Sequence, residues 1–194
     1  MELLKQKIRQ EGKVIGDSVL KVDGFLNHQI DVELVNEMGR AIYDRFKDCG
    51  VTKILTIEAS GIGLACITAQ FFGCRVLYAK KSKTSNLGSS ELYTSSAFSF
   101  THQEKNTVLI SKKYMPAEER VLIIDDFLAH GEATNALIDL VEQAGATLCG
   151  VAIAIEKGFQ GGGDALRARG VPLYSLAVID RMSEQDGVVF RADE

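Results

Sequence analysis

The stretch RVLIIDDFLAHGEAT, residues 120–134, decides the fold that the sequence predicts. Its apolar residues 121–124 lead directly into two carboxylates, Asp125 and Asp126, and a short turn with Gly131 separates these from a helical pattern. A continuous apolar run predicts a strand buried on both faces, as in a parallel sheet. Such sheets bind ligands at the carboxyl ends of their strands, and the free amides of a helix start suit a phosphate group. The stretch therefore predicts a site for a phosphate beside sugar hydroxyls or a metal ion.

The local pattern also allows a simpler interpretation, in which the two carboxylates only cap a helix or open a solvated loop. A second strand–turn–helix unit nearby bears on the choice: residues 51–57 predict a strand, and the turn 58–61 leads into a helix over 61–72. The amides of Ser60 and Gly61 can face an anion in such a turn. Close packing of the helix on the strand explains the glycine equally well.

A polar segment follows the next strand. The short strand 75–79 opens onto Lys80 and Lys81, and a long run rich in Ser, Thr and Gly comes after them. A long polar segment between core strands is typical of a functional loop or flap, with strand-like arms at 93–100 and 107–111. The lysines are placed to meet a diphosphate, or they belong to a solvated basic turn, which is the commoner fate of such clusters.

A third strand, predicted over 148–155, ends at Lys157 and Phe159. A lysine and an aromatic ring at this edge favour a ligand contact, whereas the simpler interpretation has the lysine reaching solvent and the ring covering the core. The remaining predicted elements are a helix over 3–10, a surface arm over 16–31, a helix with Asp31 as its N-cap, a flexible glycine turn at 161–163, a helix over 164–169, a strand over 171–179 and a polar tail from 180.

Composition excludes several classes of protein. The chain has 194 residues, is 46% hydrophobic and 25% charged, and has a net charge of −4, which are ordinary values for one globular domain. A nucleic-acid binder would show a basic surplus that this chain lacks. We expect no signal peptide and no membrane span, because no apolar run is long enough. The four scattered cysteines have neither disulfide-framework nor zinc-site spacing and indicate a reduced, cytoplasmic protein.

The alternation of strands and helices predicts the fold class. Unbroken apolar strands between helices indicate a single α/β domain over residues 1–194, with a mainly parallel central sheet flanked by helices. Three strand ends, at 58–61, 125–133 and 156–159, then face one crevice. This convergence is a stronger indication of a site than any one motif.

The stretch 121–133 resembles the motif with which type I phosphoribosyltransferases bind phosphoribosyl diphosphate (PRPP): a hydrophobic strand, two acids, two mostly apolar residues and a loop around a glycine. It departs from that motif at His130, where Thr or Ser is usual, and at Glu132, where a small residue is common. Three further segments are similar to the bacterial xanthine phosphoribosyltransferases of that family: VLKVDGFLNHQID (19–31), TIEASGIGLA (56–65) and AIEKGFQ (154–160).

The resemblance implies a type I phosphoribosyltransferase fold with an N-terminal hood, about residues 1–31, and a flap, about residues 80–106. It implies that Asp125 and Asp126 are catalytic and hold the ribose hydroxyls directly or through water and Mg²⁺. The residues implied to bind PRPP are Ala129, His130, Gly131, Glu132, Ala133, Ser60, Gly61, Lys80 and Lys81, and those implied to bind xanthine are Leu20, Asn27, Lys157 and Phe159.

The implied activity is purine salvage, in which the 5-phosphoribosyl group of PRPP moves to N9 of xanthine and gives XMP and diphosphate. Mg²⁺ is the implied cofactor and a cytoplasmic homodimer the implied assembly, with no nucleic-acid or membrane partner. Three alternatives stay open: a phosphoribosyltransferase for hypoxanthine and guanine, a non-catalytic PRPP sensor and a generic nucleotide-binding module. No residue is assigned as a general base for N9.

Overall fold

A computed structural model describes residues 1–82, 91–99 and 104–192. Its helices and strands are α1 (Glu2–Glu11), β1 (Lys13–Ile15), β2 (Val19–Lys21), α2 (Val32–Phe46), β3 (Lys53–Ile57), α3 (Gly61–Phe72), β4 (Arg75–Ser82), β5 (Leu92–Ser99), β6 (Glu104–Ser111), β7 (Arg120–Leu128), α4 (Glu132–Gln143), β8 (Thr147–Lys157), α5 (Gly162–Ala168), β9 (Leu173–Ser183) and β10 (Gly187–Phe190). In this part of the chain β1 and β2 form a small hairpin, and the other eight strands form one sheet.

The large sheet confirms the predicted fold class. Its strand order is β10-β9-β8-β7-β3-β4-β6-β5. The five strands from β9 to β4 pair in parallel, and antiparallel strands add to both sides. Helices α3, α4 and α5 connect β3 to β4, β7 to β8 and β8 to β9, as crossover connections between neighbouring parallel strands usually do.

Strands β3 and β7 are neighbours at the point where the chain changes direction through the sheet. The chain leaves β3 through α3 towards β4, and it leaves β7 through α4 towards β8, on the other side. The two strands pair only from Lys53 and Val121 to Leu55 and Ile123, while β7 continues to Leu128. Pairing between the two strands stops at that point. The carboxyl ends of neighbouring strands whose connections diverge are where open α/β sheets bind ligands, and we call this place the crevice.

The apolar run of β7 forms the centre of the core. Leu122 and Ile124 pack in a cluster with residues of α2 and α3, whereas Val121 and Ile123 pack in a cluster with residues of α4. All four side chains are fully buried. Successive side chains of a strand point to opposite faces, so an unbroken apolar run is what a sheet covered on both faces needs.

Several strands extend further than the sequence predicted. Asp125 and Asp126 lie inside β7 rather than after it, because pairing with β8 continues as far as Leu128. Lys80 and Lys81 lie inside β4, where they pair with β6. A charged residue was taken as a strand end in each case, and backbone pairing with a neighbouring strand overrides that signal.

Part of the predicted flap belongs to the sheet. Strands β5 and β6 pair along their full lengths, and β6 also pairs with β4. Gln143 of α4 donates a hydrogen bond to the Thr94 carbonyl over 2.9 Å, which ties β5 to the body of the domain. The rest of the predicted flap, residues 83–90 and 100–103, lies outside the described residues.

Two other predictions were wrong in detail. The glycine run at 161–163 is not a flexible turn, because Gly162 and Gly163 form the first turn of α5. The strand predicted over 171–179 ends later, since β9 continues to Ser183 and pairs with β10. The predicted surface arm contains β2, which pairs with β1 just before the arm, and a short π-helix at Asp23–Asn27. In the described ranges no helix is both long and apolar enough to cross a bilayer.

Asp31 is the N-cap of α2, as the sequence predicted. Its carboxylate accepts a hydrogen bond from the Leu34 amide over 3.1 Å and pairs with the Lys7 ammonium at 2.9 Å. The hydrogen bond from Lys7, followed by the one from the Leu34 amide, lowers the pKa of Asp31 below its ordinary 3.8. A depressed pKa means that the contribution to stability is present above the ordinary pKa and is lost as the pH falls through the folded-state value.

We expect Asp31→Ala to lower the free energy of unfolding by about 1 kcal/mol at neutral pH, the usual cost of losing an N-cap. Urea denaturation at pH 7 and at pH 3 measures it, and the difference from the wild type should shrink at pH 3. Asp48→Ala, which removes an exposed carboxylate after the same helix, is the control. A loss equal to the control's, or one that is independent of pH, contradicts the assignment.

Candidate active site

Two adjacent carboxylates lie in the crevice beside β3. Asp125 and Asp126 are each only 6% exposed. The Asp126 amide donates a hydrogen bond to Asp125 Oδ1 over 2.9 Å. Burial, and then the neighbouring charge of Asp126, raises the pKa of Asp125 well above its ordinary value. Such a pair is suited to accept hydrogen bonds from hydroxyl groups or to approach a cation, because both relieve the repulsion between the two charges.

A glycine turn follows the carboxylates, and we call residues 129–131 the Gly131 turn. Gly131 precedes α4 with φ of +89°, a conformation that favours glycine. Helix α4 has no side-chain N-cap, and its first residues, Glu132 and Ala133, stand at a helix end whose amides lack intrahelical acceptors. Backbone amides and the helix dipole both favour an anion at such a helix start, which is the chemistry that the predicted phosphate cradle needs.

His130 occupies the middle of the Gly131 turn and is exposed. Its Nδ1 lies 3.2 Å from the Gln160 carbonyl oxygen, in the segment that leads into α5. The Gly162 amide donates a hydrogen bond to the Ala129 carbonyl over 3.1 Å. Gln160 and the first residue of α5, Gly162, therefore hold the turn from outside, and His130 takes part in that support.

Gly61, the first residue of α3, packs directly against Asp125. A side-chain carbon at Gly61 would lie 2.9 Å from Asp125 Oδ1 and would collide with the Thr56 hydroxyl. Only a glycine allows the turn with Ser60 to come this close. The Lys81 amide donates a hydrogen bond to Glu58 Oε1 over 2.6 Å, which joins the end of β4 to the same turn.

Of the two lysines at the end of β4, Lys81 lies close enough to the carboxylates to act on Asp125. Lys80 and Lys81 have exposed side chains. The charge of Lys81 lowers the pKa of Asp125, although burial and Asp126 raise it by more. Lys81 and the Ser60–Gly61 turn thus lie beside the carboxylates, and a ligand with several negative charges is the kind that they suit.

The N-terminal segment, residues 16–31, contacts the opposite end of the crevice. Asn27 Nδ2 lies 3.4 Å from Asp126 Oδ2, a long hydrogen bond. The Lys157 ammonium donates a hydrogen bond to the Ser18 carbonyl over 2.7 Å and lies 5.4 Å from the centre of the Phe127 ring. Burial lowers the pKa of Lys157. The structure thus brings Asn27 and Lys157, 130 residues apart in the sequence, to the same crevice as the carboxylates.

The two remaining predicted base contacts differ in exposure. Leu20 is buried and packs into the core cluster beneath the N-terminal segment. Phe159 is 40% exposed, in a short 3₁₀ turn over Gly158–Gln160. A large apolar ring left this exposed is available to a flat ligand.

Sequence reasoning missed the groups that hold these side chains in place. The Ser18 carbonyl and the Phe127 ring support Lys157, and Gly162 supports the Gly131 turn. A backbone carbonyl carries no sequence signal. The glycine run did carry one, but a run of glycines indicates close packing and flexibility equally well.

The carboxylates fit Mg²⁺ only as part of a complex with a substrate. Across residues 1–82, 91–99 and 104–192, no group of three or more His, Cys, Asp or Glu side chains could hold a metal ion. Asp125 and Asp126 supply oxygen donors, which a hard cation prefers. Mg²⁺ usually keeps waters and takes phosphate oxygens as its other ligands, so two carboxylates suffice for that role.

The comparisons with known proteins agree with this geometry. Residues 22–164 match the family model described as phosphoribosyl transferase domain. A xanthine phosphoribosyltransferase of Ruminiclostridium cellulolyticum is 54% identical over 182 residues, which cover 94% of this chain and 95% of that protein. One of Lachnoclostridium phytofermentans is 52% identical over the whole of both chains.

Solved structures of adenine phosphoribosyltransferases share the fold. The enzyme of Rhodothermus marinus superposes with a TM-score of 0.74 at 23% identity, covering 92% of this chain and all of that one. The enzyme of Giardia lamblia gives 0.74 at 20% identity, covering 90% of this chain and 96% of that one. These identities establish the likeness of fold alone, whereas the family model and the near-full-length relatives establish more: the chain is a member of the phosphoribosyltransferase family and has its type I fold.

Proposed function

We propose that this chain transfers the 5-phosphoribosyl group of PRPP to N9 of xanthine, giving XMP and diphosphate in purine salvage. The observation that best supports this reaction is the contact between Asn27 and Asp126, because it brings the residue proposed to bind the base next to a residue proposed to bind the sugar. Two relatives of this chain, 54% and 52% identical and named xanthine phosphoribosyltransferases, support the choice of base.

PRPP would lie across the carboxyl ends of β3 and β7. Asp125 and Asp126 would accept hydrogen bonds from the ribose hydroxyls. The terminal phosphate of the sugar would lie against the amides of residues 129–133, at the start of α4. The residues proposed for the diphosphate are Ser60, Gly61, Lys80 and Lys81.

Catalysis would depend mainly on positioning and electrostatics. When diphosphate leaves C1, positive charge develops on the ribose ring and negative charge on the leaving group. Asp125 and Asp126 face the ring and favour the positive charge, while Lys80 and Lys81 favour the departing anion. Asp125 and Asp126 would hold Mg²⁺ together with PRPP, and the ion would then neutralise charge on the leaving group.

Xanthine would lie between the N-terminal segment and the end of β8. The Lys157 ammonium is a donor without an acceptor lone pair, so it suits a 6-oxo group and disfavours the 6-amino group of adenine. Asn27 carries a donor and an acceptor and can serve the oxo group at C2. Phe159 would stack on the ring, and Leu20 would close over the base with Asn27 from the N-terminal segment.

We further propose that residues 1–31 act as a hood over the base and residues 80–106 as a flap over the diphosphate. Closure of both would exclude water and protect PRPP from hydrolysis. The contacts of Ser18 and Asn27 with the crevice support the hood. A cytoplasmic homodimer remains an expectation from the family resemblance, and light scattering after size-exclusion chromatography measures the oligomeric state.

The test of the proposed reaction is diphosphate release from PRPP and Mg²⁺ with xanthine, guanine, hypoxanthine or adenine. We expect xanthine to give the highest kcat/KM and adenine the lowest, because Lys157 can only donate. A preference for guanine or hypoxanthine would contradict the base assignment alone. Binding of PRPP without release for any base would contradict catalysis and favour a sensor.

Replacing both carboxylates tests the sugar site. We expect Asp125→Asn with Asp126→Asn to lower kcat/KM by about 10²-fold or more, since charges that stabilise a developing cation are lost. The single change Asp125→Asn should raise the melting temperature of the free protein, because it removes one of two buried neighbouring charges. Steady-state rates and thermal unfolding measure the two effects, with Asp48→Asn as the control. Ordinary activity of the double variant contradicts the proposed site.

Two lysine variants separate the base site from the diphosphate site. We expect Lys157→Ala to raise the KM of xanthine at least about tenfold, the usual effect of losing a hydrogen bond from a charged group, and to leave the KM of PRPP nearly unchanged. Lys80→Ala should instead raise the KM of PRPP and leave the KM of xanthine nearly unchanged. Initial rates with one substrate varied at saturation of the other provide the four constants. Equal rises for both substrates in Lys157→Ala contradict its assignment.

A further inference from the structure

A buried ion pair lies directly beneath the proposed base site. Glu156, the residue before Lys157, is 0% exposed. The guanidinium of Arg167 donates two hydrogen bonds to its carboxylate, over 2.8 Å to Oε1 and 2.7 Å to Oε2. The Ser175 hydroxyl donates a third, over 2.5 Å. We call these three residues the clamp; it joins β8, α5 and β9.

The clamp fixes helix α5 at the wall of the crevice. Arg167 lies in the last turn of α5, and Gly163 in its first turn packs directly on the Glu156 carboxylate. A side-chain carbon at Gly163 would collide with Glu156 Oε1 and would lie 2.8 Å from Arg167 Nη1. The glycine is therefore a consequence of the clamp, because no other residue lets the helix come this close.

The other side of α5 supports the Gly131 turn. The Gly162 amide donates its hydrogen bond to the Ala129 carbonyl. A side-chain carbon at Gly162 would lie 2.7 Å from the His130 carbonyl carbon and 2.8 Å from the Gly131 nitrogen. With the contact from His130 to the Gln160 carbonyl, the turn rests on residues 160–162 through backbone contacts that allow little displacement.

Lys157 and Phe159 lie in the short stretch of chain between two residues that are held in place, Glu156 and Gly162. Glu156 before them is held by the clamp, and Gly162 after them is held against Ala129. Any movement of α5 would therefore shift the proposed base contacts relative to the proposed phosphate cradle. For transfer, N9 of the base must face C1 of a ribose whose terminal phosphate lies in that cradle, so the separation of the two subsites sets the angle and distance of attack.

We propose that Glu156 is a positioning residue which, through Arg167 and α5, fixes the base subsite relative to the phosphate subsite. The inference rests on the proposed function and adds to it residues that touch neither substrate. A 1 Å misplacement of reacting groups is enough to lower a rate by about 10²-fold, so a clamp remote from the reacting atoms can control kcat.

The chemistry of the clamp favours geometry over stability as its role. An ion pair with one fully buried partner gains little net stability, because desolvation offsets the attraction between the charges. The planar guanidinium fork, in contrast, fixes direction as well as distance. Arg167 is 38% exposed, so it can return to water when its partner is neutralised, and a variant at Glu156 need not leave an unpaired buried charge.

The main variant is Glu156→Gln, which keeps the shape of the side chain and removes the charge that Arg167 binds. We expect kcat with xanthine to fall about 10- to 100-fold, while the Kd of PRPP by calorimetry stays within about twofold. Arg167→Lys keeps the positive charge, loses the fork and should show the same pattern. If Glu156→Gln does not fold, Arg167→Lys alone tests the proposal.

The matched control is Glu119→Gln. Glu119 forms a comparable pair with Lys53 at 2.8 Å and accepts a hydrogen bond from Thr52, but it lies before β7, at the opposite edge of the sheet. We expect this variant to lose stability and to keep the kcat of the wild type at a temperature well below its unfolding. If the clamp variants also keep that kcat, the clamp is only structural and the proposal is overturned. A parallel loss of kcat and PRPP affinity overturns it too.

Hydrogen exchange provides a readout that does not depend on activity. In the free protein, Glu156→Gln and Arg167→Lys should increase amide exchange in residues 129–133 at least tenfold relative to the wild type and to Glu119→Gln. Unchanged exchange there contradicts the coupling. A wild-type protein that transfers to no base contradicts the proposed function alone, and exchange still decides whether the clamp supports the Gly131 turn.

Discussion

The arrangement of the crevice depends on one constraint: two neighbouring carboxylates, Asp125 and Asp126, lie nearly buried in the central strand of a sheet. Charges in such a place are unfavourable unless polar partners surround them. The partners come from three directions, with the Asp126 amide within the strand, Asn27 from the N-terminal segment and the charge of Lys81 from β4. A stable fold could avoid this cost with apolar residues, so the cost itself marks a functional site.

The glycines of the crevice follow from the same constraint. A loop and a helix can approach a carboxylate or a carbonyl closely only where no side chain intervenes. Gly61 meets Asp125 in this way, Gly163 meets Glu156, and Gly162 meets the Gly131 turn. Each glycine brings a rigid element against a polar group, so helix starts and backbone form part of the walls of the crevice, beside side chains such as those of Asn27 and Lys157.

Much of this fold could be predicted from the sequence, because its main signal is local. The apolar runs of β7 and β8, the helix 61–72 and the N-cap Asp31 each carry a pattern within a few residues. The strand ends were placed too early where charged residues begin, as at Glu156. Nothing near Glu156 in the sequence shows that Arg167 and Ser175 will surround it, and partners from other elements decide whether a charge is buried.

The same distinction applies to the candidate site. The Gly131 turn and the carboxylates were predictable because one stretch of chain contains them. The position of the N-terminal segment was not, and residues 16–31 read alone indicate only a surface arm.

The role of the N-terminal segment depends on two long-range contacts, from Lys157 to the Ser18 carbonyl and from Asn27 to Asp126. In the free protein these side chains are already satisfied by groups of the chain itself. A ligand would exchange one set of hydrogen bonds for another, so the binding energy of the crevice depends on the difference between the two sets rather than on the number of contacts formed. Selectivity in such a site requires a ligand whose donors and acceptors replace both partners at once, which a base with oxo groups on both sides of its ring can do and a base with a single polar edge cannot.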